Sequence, residues 1–135
     1  MDYKIIDIQG IGPAYAEKLK AAGINKVSQL LEKGKTAKGR KELEDATGIR
    51  HDFILTWVNH ADLFRVNGVG PQFAELLEAG GVDTVKEFGH RNAANLYAKL
   101  VEVNDKEHRT KRVPSEKELQ KMIDQAKELP AVVTY

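Results

Sequence analysis

Ile8-Gln9-Gly10-Ile11-Gly12-Pro13 recurs 58 positions along the chain as Val66-Asn67-Gly68-Val69-Gly70-Pro71, and the correspondence continues past the proline. Over residues 8–31 against 66–89, nine of twenty-four pairs are identical and eight more are close in kind, such as Tyr15 with Phe73. The chain is therefore an internal repeat. In each copy a proline stands where a helix can begin without losing a needed N–H, and Gly23 or Gly81 stands where a left-handed cap can end it. The pattern predicts short helices over residues 13–22 and 71–80.

Outward from these two helices the periodicity stays helical, and strand-like alternation is scarce. Further helices are expected over residues 26–33, 38–46, 84–88 and 93–104, the 84–88 helix opening with a capping box of Thr84 and Glu87. Phe53, Ile54, Trp57, Val58 and Ala61 paint one face of a long helix from Ile49 to Val66, which joins the copies. A last helix opens at Ser115, with Glu118 completing its capping box, turns Leu119, Met122, Ile123, Ala126 and Leu129 inward and stops at Pro130. The expected fold is all-α: two tandem units of four to five short helices, residues 1–65 and 66–130, sharing that long helix, with residues 131–135 as a loose C-terminal tail.

Composition narrows the function. The 135 residues hold 21 Lys and Arg against 20 Asp and Glu, a net charge of +1, so any attraction for polyanions must be local. There is no cysteine, hence no disulfide and no thiolate nucleophile or zinc ligand. The charged Met1-Asp2-Tyr3-Lys4 start and the brevity of the apolar stretch 53–58 point to a cytoplasmic protein rather than an exported or membrane one.

The glycine turns have a physical use. First-turn amides of a helix lack carbonyl partners and carry the positive end of the helix dipole, and glycine leaves no side chain to keep a phosphate away from them. Ile8-x-Gly10-Ile11-Gly12-x-x-x-Ala16-x-x-Leu19 and Val66-x-Gly68-Val69-Gly70-x-x-x-Ala74-x-x-Leu77 resemble the helix-hairpin-helix motif. That resemblance implies a hairpin gripping a nucleic-acid backbone without reading its sequence. Each copy is similar to the paired form of the motif, although the second hairpin of each, at Thr47-Gly48-Ile49 and around residues 103–114, lacks the full Gly-x-Gly. The stretch from Leu96-Tyr97 through Arg112-Val113-Pro114-Ser115 to Gln125-Ala126-Lys127 also resembles an uncharacterised bacterial domain-of-unknown-function family, which names no activity.

The expected function is non-enzymatic, sequence-independent binding of nucleic acid, DNA foremost. Gly10, Ile11, Gly12 and Ala14 would supply the backbone contact of the first hairpin, with Lys18 and Lys20 beside it. Gly68, Val69, Gly70 and Gln72 form the second, which Glu75 and Glu78 make the poorer binder. Lys4 and two basic runs are candidate support: Lys35, Lys38, Arg40 and Lys41, and Arg109, Lys111 and Arg112. The binding would be weak and non-specific. The alternative is a protein-protein interaction scaffold in which Gly10, Gly12, Gly68 and Gly70 only shape turns while Ile11 and Val69 fill the core. No cofactor, metal or small-molecule substrate is expected: His51, His60, His90 and His108 form no i, i+4 pair, Ser28 and Ser115 suit capping, and no nucleotide loop follows either Gly-x-Gly. Tyr15, Phe53, Trp57 and Phe73 are expected in the core.

Overall fold

The computed structural model describes residues 2–135. It is all-α: among the described residues there are a 3-10 turn, η1 (Ile5–Asp7), and eight α-helices, with a single isolated antiparallel bridge between Lys4 and Lys26 and no strand. The helices are α1 (Pro13–Ala21), α2 (Val27–Gly34), α3 (Ala37–Thr47), α4 (His51–Leu63), α5 (Pro71–Ala79), α6 (Val85–Gly89), α7 (Ala93–Glu107) and α8 (Glu116–Glu128). No helix is long and apolar enough to cross a membrane among the described residues.

The repeat is legible bond by bond. Ile11 N–H donates to the Ile8 carbonyl at 3.1 Å, and Val69 N–H to the Val66 carbonyl at 3.1 Å. Each turn carries its glycine third, Gly10 at φ +89° and Gly68 at φ +90°, a conformation that side chains with a Cβ rarely adopt. Both following helices open with proline after an extended glycine N-cap, and both close alike. Gly23 N–H donates to the Lys20 carbonyl and Ile24 N–H to the Leu19 carbonyl, matched by Gly81 with Glu78 and Val82 with Leu77. With Gly23 at φ +87° and Gly81 at φ +94°, these are Schellman motifs, and each buries its paired apolar residues, Leu19 with Ile24 and Leu77 with Val82. The starts of α2 and α6 keep the same register. Beyond them the copies diverge, α3 having 11 residues and α7 15.

The chain divides into two compact units, residues 1–62 with 132–135, and residues 63–131. In the first, Ile8, Ile11, Leu19, Leu30, Leu43, Ile54, Trp57 and Val58 are buried. Helices α2 and α3 approach closely because Gly39 lets the backbone pass: a Cβ there would lie 1.9 Å from the Lys33 carbonyl oxygen. In the second, one apolar cluster gathers Leu76, Leu77, Phe88, Leu96 and Leu100 with Leu119, Ile123 and Ala126 of α8, which fits its Ser115–Glu118 capping box and inward stripe.

The C-terminal residues depart from the expected loose tail. Val133 is buried, Thr134 N–H donates to the Lys35 carbonyl at 2.8 Å, and the Tyr135 hydroxyl donates to Asn59 Oδ1 at 2.8 Å. An apolar anchor with polar partners either side returns this segment to the first unit.

Candidate functional site

A helix start can take an outside anion only if the chain has not already satisfied it. Thr36, Thr84, Asn92 and Ser115 each accept a hydrogen bond from the first turn of α3, α6, α7 and α8. At α2 the Asp2 carboxylate takes Ser28 N–H at 3.1 Å and the Ser28 hydroxyl at 2.7 Å, and the hydroxyl contact holds the Asp2 carboxyl below its ordinary range. Helices α1 and α5 differ. Their N-caps, Gly12 and Gly70, have no side chain to accept from the first turn. The amides of Ala14 and Tyr15, and of Gln72 and Phe73, thus carry the positive end of each helix with no side-chain cap.

The surroundings separate the two starts. Gly10, Pro13 and Ala14 are exposed, and a Cβ on Gly12 would meet nothing within 4 Å, so the approach to α1 is open. Ile11 is buried and its N–H is already taken by the Ile8 carbonyl, so it packs the turn and leaves no free donor there. Beside this entrance lies an aromatic group that the sequence placed wholly in the core. Trp57 is buried, but Tyr15 is half-buried and Phe53 36% exposed. Tyr15 lies 5.2 Å from Trp57 and 6.0 Å from Phe53 between ring centroids. Lys18 Nζ stands 5.9 Å over the Tyr15 ring and the Arg50 guanidinium 5.1 Å over Phe53.

The α5 entrance is more encumbered. A Cβ on Gly68 would lie 2.9 Å from the Met122 Cε, and Asn67 N–H is taken by Gln125 Oε1 at 2.8 Å, so α8 leans on this turn. Val69 is buried, whereas Gln72 is exposed. On α5 itself Glu75 is held by Arg109 at 3.0 Å.

The basic residues do not form one surface. Lys18 and Lys20, about 200° apart around α1, leave on opposite flanks: Lys18 with Tyr15, Lys20 with Ala16 and Glu17. Lys4 stands on the Lys20 flank. Arg40, expected as an exposed cation, is buried instead, donating to the Gly34 carbonyl at 2.8 Å and the Thr134 carbonyl at 2.7 Å with its guanidinium 5.6 Å over the Tyr135 ring. Its planar fork makes it a cross-link for the C-terminal segment.

Arg109 likewise serves the fold, bridging Glu75 and Glu107. Lys35 pairs with Glu32, Lys41 with Glu44 and Asp45, and Arg112 with Glu118. Lys38 and Lys111 are exposed and, among the described residues, have no acidic partner within 4.0 Å. The sequence reading passed over Lys26 and Arg50. The bridge opposite Lys4 and the packing of α4 bring them to α1's two flanks, and no local periodicity signals either. Among the described residues no group of three His, Asp or Glu side chains could hold a metal ion.

No curated protein and no solved structure matches the chain. The model of one family, described as Domain of unknown function (DUF4332), matches residues 9–129, nearly the whole length, and the chain belongs to that family.

Proposed function

We propose that the chain is a non-enzymatic, helix-hairpin-helix-like binder of nucleic-acid backbone, DNA foremost, that takes phosphate at the start of α1 without reading sequence. The observation that carries this is the uncapped α1 entrance: an extended glycine N-cap, open space above Gly12 and exposed neighbours, in a molecule whose helices α2, α3, α6, α7 and α8 are capped from within. Lys18 adds charge on the Tyr15 flank. The second hairpin contributes less, because Met122 and Gln125 lie against its turn. With a net charge of +1 and few phosphates engaged, affinity falls in the non-specific range of about 10⁻⁴ to 10⁻⁶ M.

Gly12→Asp tests the mechanism without undoing the fold. Gly12 has φ −84° and ψ −179°, angles suited to aspartate, and aspartate is a preferred N-cap. Its carboxylate would accept from the first-turn amides and repel phosphate from the same place. Anisotropy of a labelled short duplex should show the parent losing affinity with a log–log salt slope of about −0.9 per phosphate, and the variant binding about tenfold more weakly while keeping or raising its melting temperature. Equal affinity in a folded Gly12→Asp protein would remove the α1 entrance from the mechanism.

A further inference from the structure

On the flank of α1 opposite Lys18, a hollow of about 360 Å³ opens within the first unit. It is lined by Lys4, Lys20 and Lys26, by Ile6 and Ala16, and by Glu17 as the one acid of the lining. The volume lies within the range of small binding pockets, about 300–1,000 Å³.

The lysines are held together by the backbone. Ile5 N–H donates to the Asn25 carbonyl at 3.2 Å and Val27 N–H to the Tyr3 carbonyl at 2.9 Å. This makes Lys4 and Lys26 a directly opposed pair of the non-hydrogen-bonded kind, the geometry that brings side chains closest. Like charges placed so destabilise the folded chain, and an anion between them reverses the effect. Lys20 reaches the same hollow from α1. Among the described residues none of the three has an acidic partner within 4.0 Å, as is true of Lys18 and Lys38, whereas Lys33, Lys35, Lys41 and Arg50 of the same unit are each paired. Asp2, whose charge acts on Lys26, has both oxygens on Ser28. Ile6, which also lines the hollow, is 47% exposed, a large apolar side chain left in water.

We infer that the hollow docks an acidic peptide segment of a partner protein, with one apolar side chain of the partner on Ile6 and Ala16 and flanking carboxylates at Lys4, Lys20 and Lys26. A peptide fits the chemistry better than nucleic acid does: the apolar lining is aliphatic, and no aromatic side chain lines the hollow to stack on a base. The inference does not depend on the α1 entrance: none of Gly12, Ala14 and Tyr15 lines the hollow.

A random short-peptide library, displayed on phage, is selected on the immobilised full chain and counter-selected on Lys4→Glu/Lys26→Glu. Both lysines are exposed, so the variant is expected to match the parent in helicity and melting temperature. Selected peptides should combine carboxylates with a nearby Leu, Ile, Phe or Met. Resynthesised, they should bind the lysine variant about tenfold more weakly, as expected from reversing two of three partly exposed charge contacts. Ile6→Asn should weaken them too, and Gly12→Asp should leave them unchanged. Absence of enrichment, winners without carboxylates, or equal binding to both proteins would overturn the inference. So would a labelled oligothymidylate whose binding, rather than the peptides', is lost in the lysine variant.

Discussion

Replacing Arg40 by methionine keeps most of the side chain's bulk and removes its fork of donors, which isolates what the buried guanidinium does. Two hydrogen bonds to carbonyls disappear, those of Gly34 and Thr134. Bonds from a charged donor contribute about 1.5–3 kcal/mol each, and Gly34 is itself buried, so its oxygen loses a partner that water replaces poorly. Against this, methionine no longer leaves a cation out of water, and Arg40 Nε has no hydrogen-bond partner in the fold, so part of the loss is recovered.

The balance is a destabilisation of about 2–3 kcal/mol, or about 10 °C in Tm at roughly 4 °C per kcal/mol. Urea and thermal unfolding followed by circular dichroism would measure it. Hydrogen exchange should show the Thr134 amide, which donates to the Lys35 carbonyl, losing protection first. An exposed nucleic-acid-binding cation behaves otherwise: its removal changes stability by no more than about 0.5 kcal/mol. A Met variant as stable as the parent would refute the assignment of Arg40 to the fold and return it to the surface.

Two further outcomes follow from local geometry. Gly39→Ala should unfold or severely destabilise the first unit, by more than about 3 kcal/mol in urea, because its Cβ would meet the Lys33 carbonyl oxygen at 1.9 Å; Gly23→Ala, with open space but φ +87°, should cost only about 1–2 kcal/mol. Acid should loosen the start of α8. Ser115 N–H and then Arg112 hold the Glu118 carboxyl below its ordinary range, so the stability it contributes is present above the ordinary carboxylate value and is lost as pH falls through the depressed one. Glu118→Gln should flatten the acid limb of a urea-midpoint profile, and an unchanged limb would show the contacts to be idle.

What could be read from the sequence was what depends on near neighbours. The two Gly-x-Gly-Pro turns, the Schellman glycines and the Ser115 cap are decided within six residues, and the structure has each where the pattern put it. Arg40 was misjudged because its partner Thr134 is 94 positions away, and a basic run reads as solvated until something covers it. The same distance hid the docking of Val133 and Tyr135. Lys18 and Lys20 could have been separated by helical angle alone; adjacency in sequence disguised it. Lys26 gains its place from a single backbone bridge, for which composition and periodicity offer no sign.

The central claim concerns main-chain donors, so the direct measurement is of those donors. In an amide ¹⁵N–¹H titration with an unlabelled duplex at low salt, Gly12, Ala14 and Tyr15 should shift first and furthest, Gln72 and Phe73 less, and the amides of α8 little. Saturating duplex that leaves Gly12, Ala14 and Tyr15 in place, or that moves only residues remote from α1, would contradict the account.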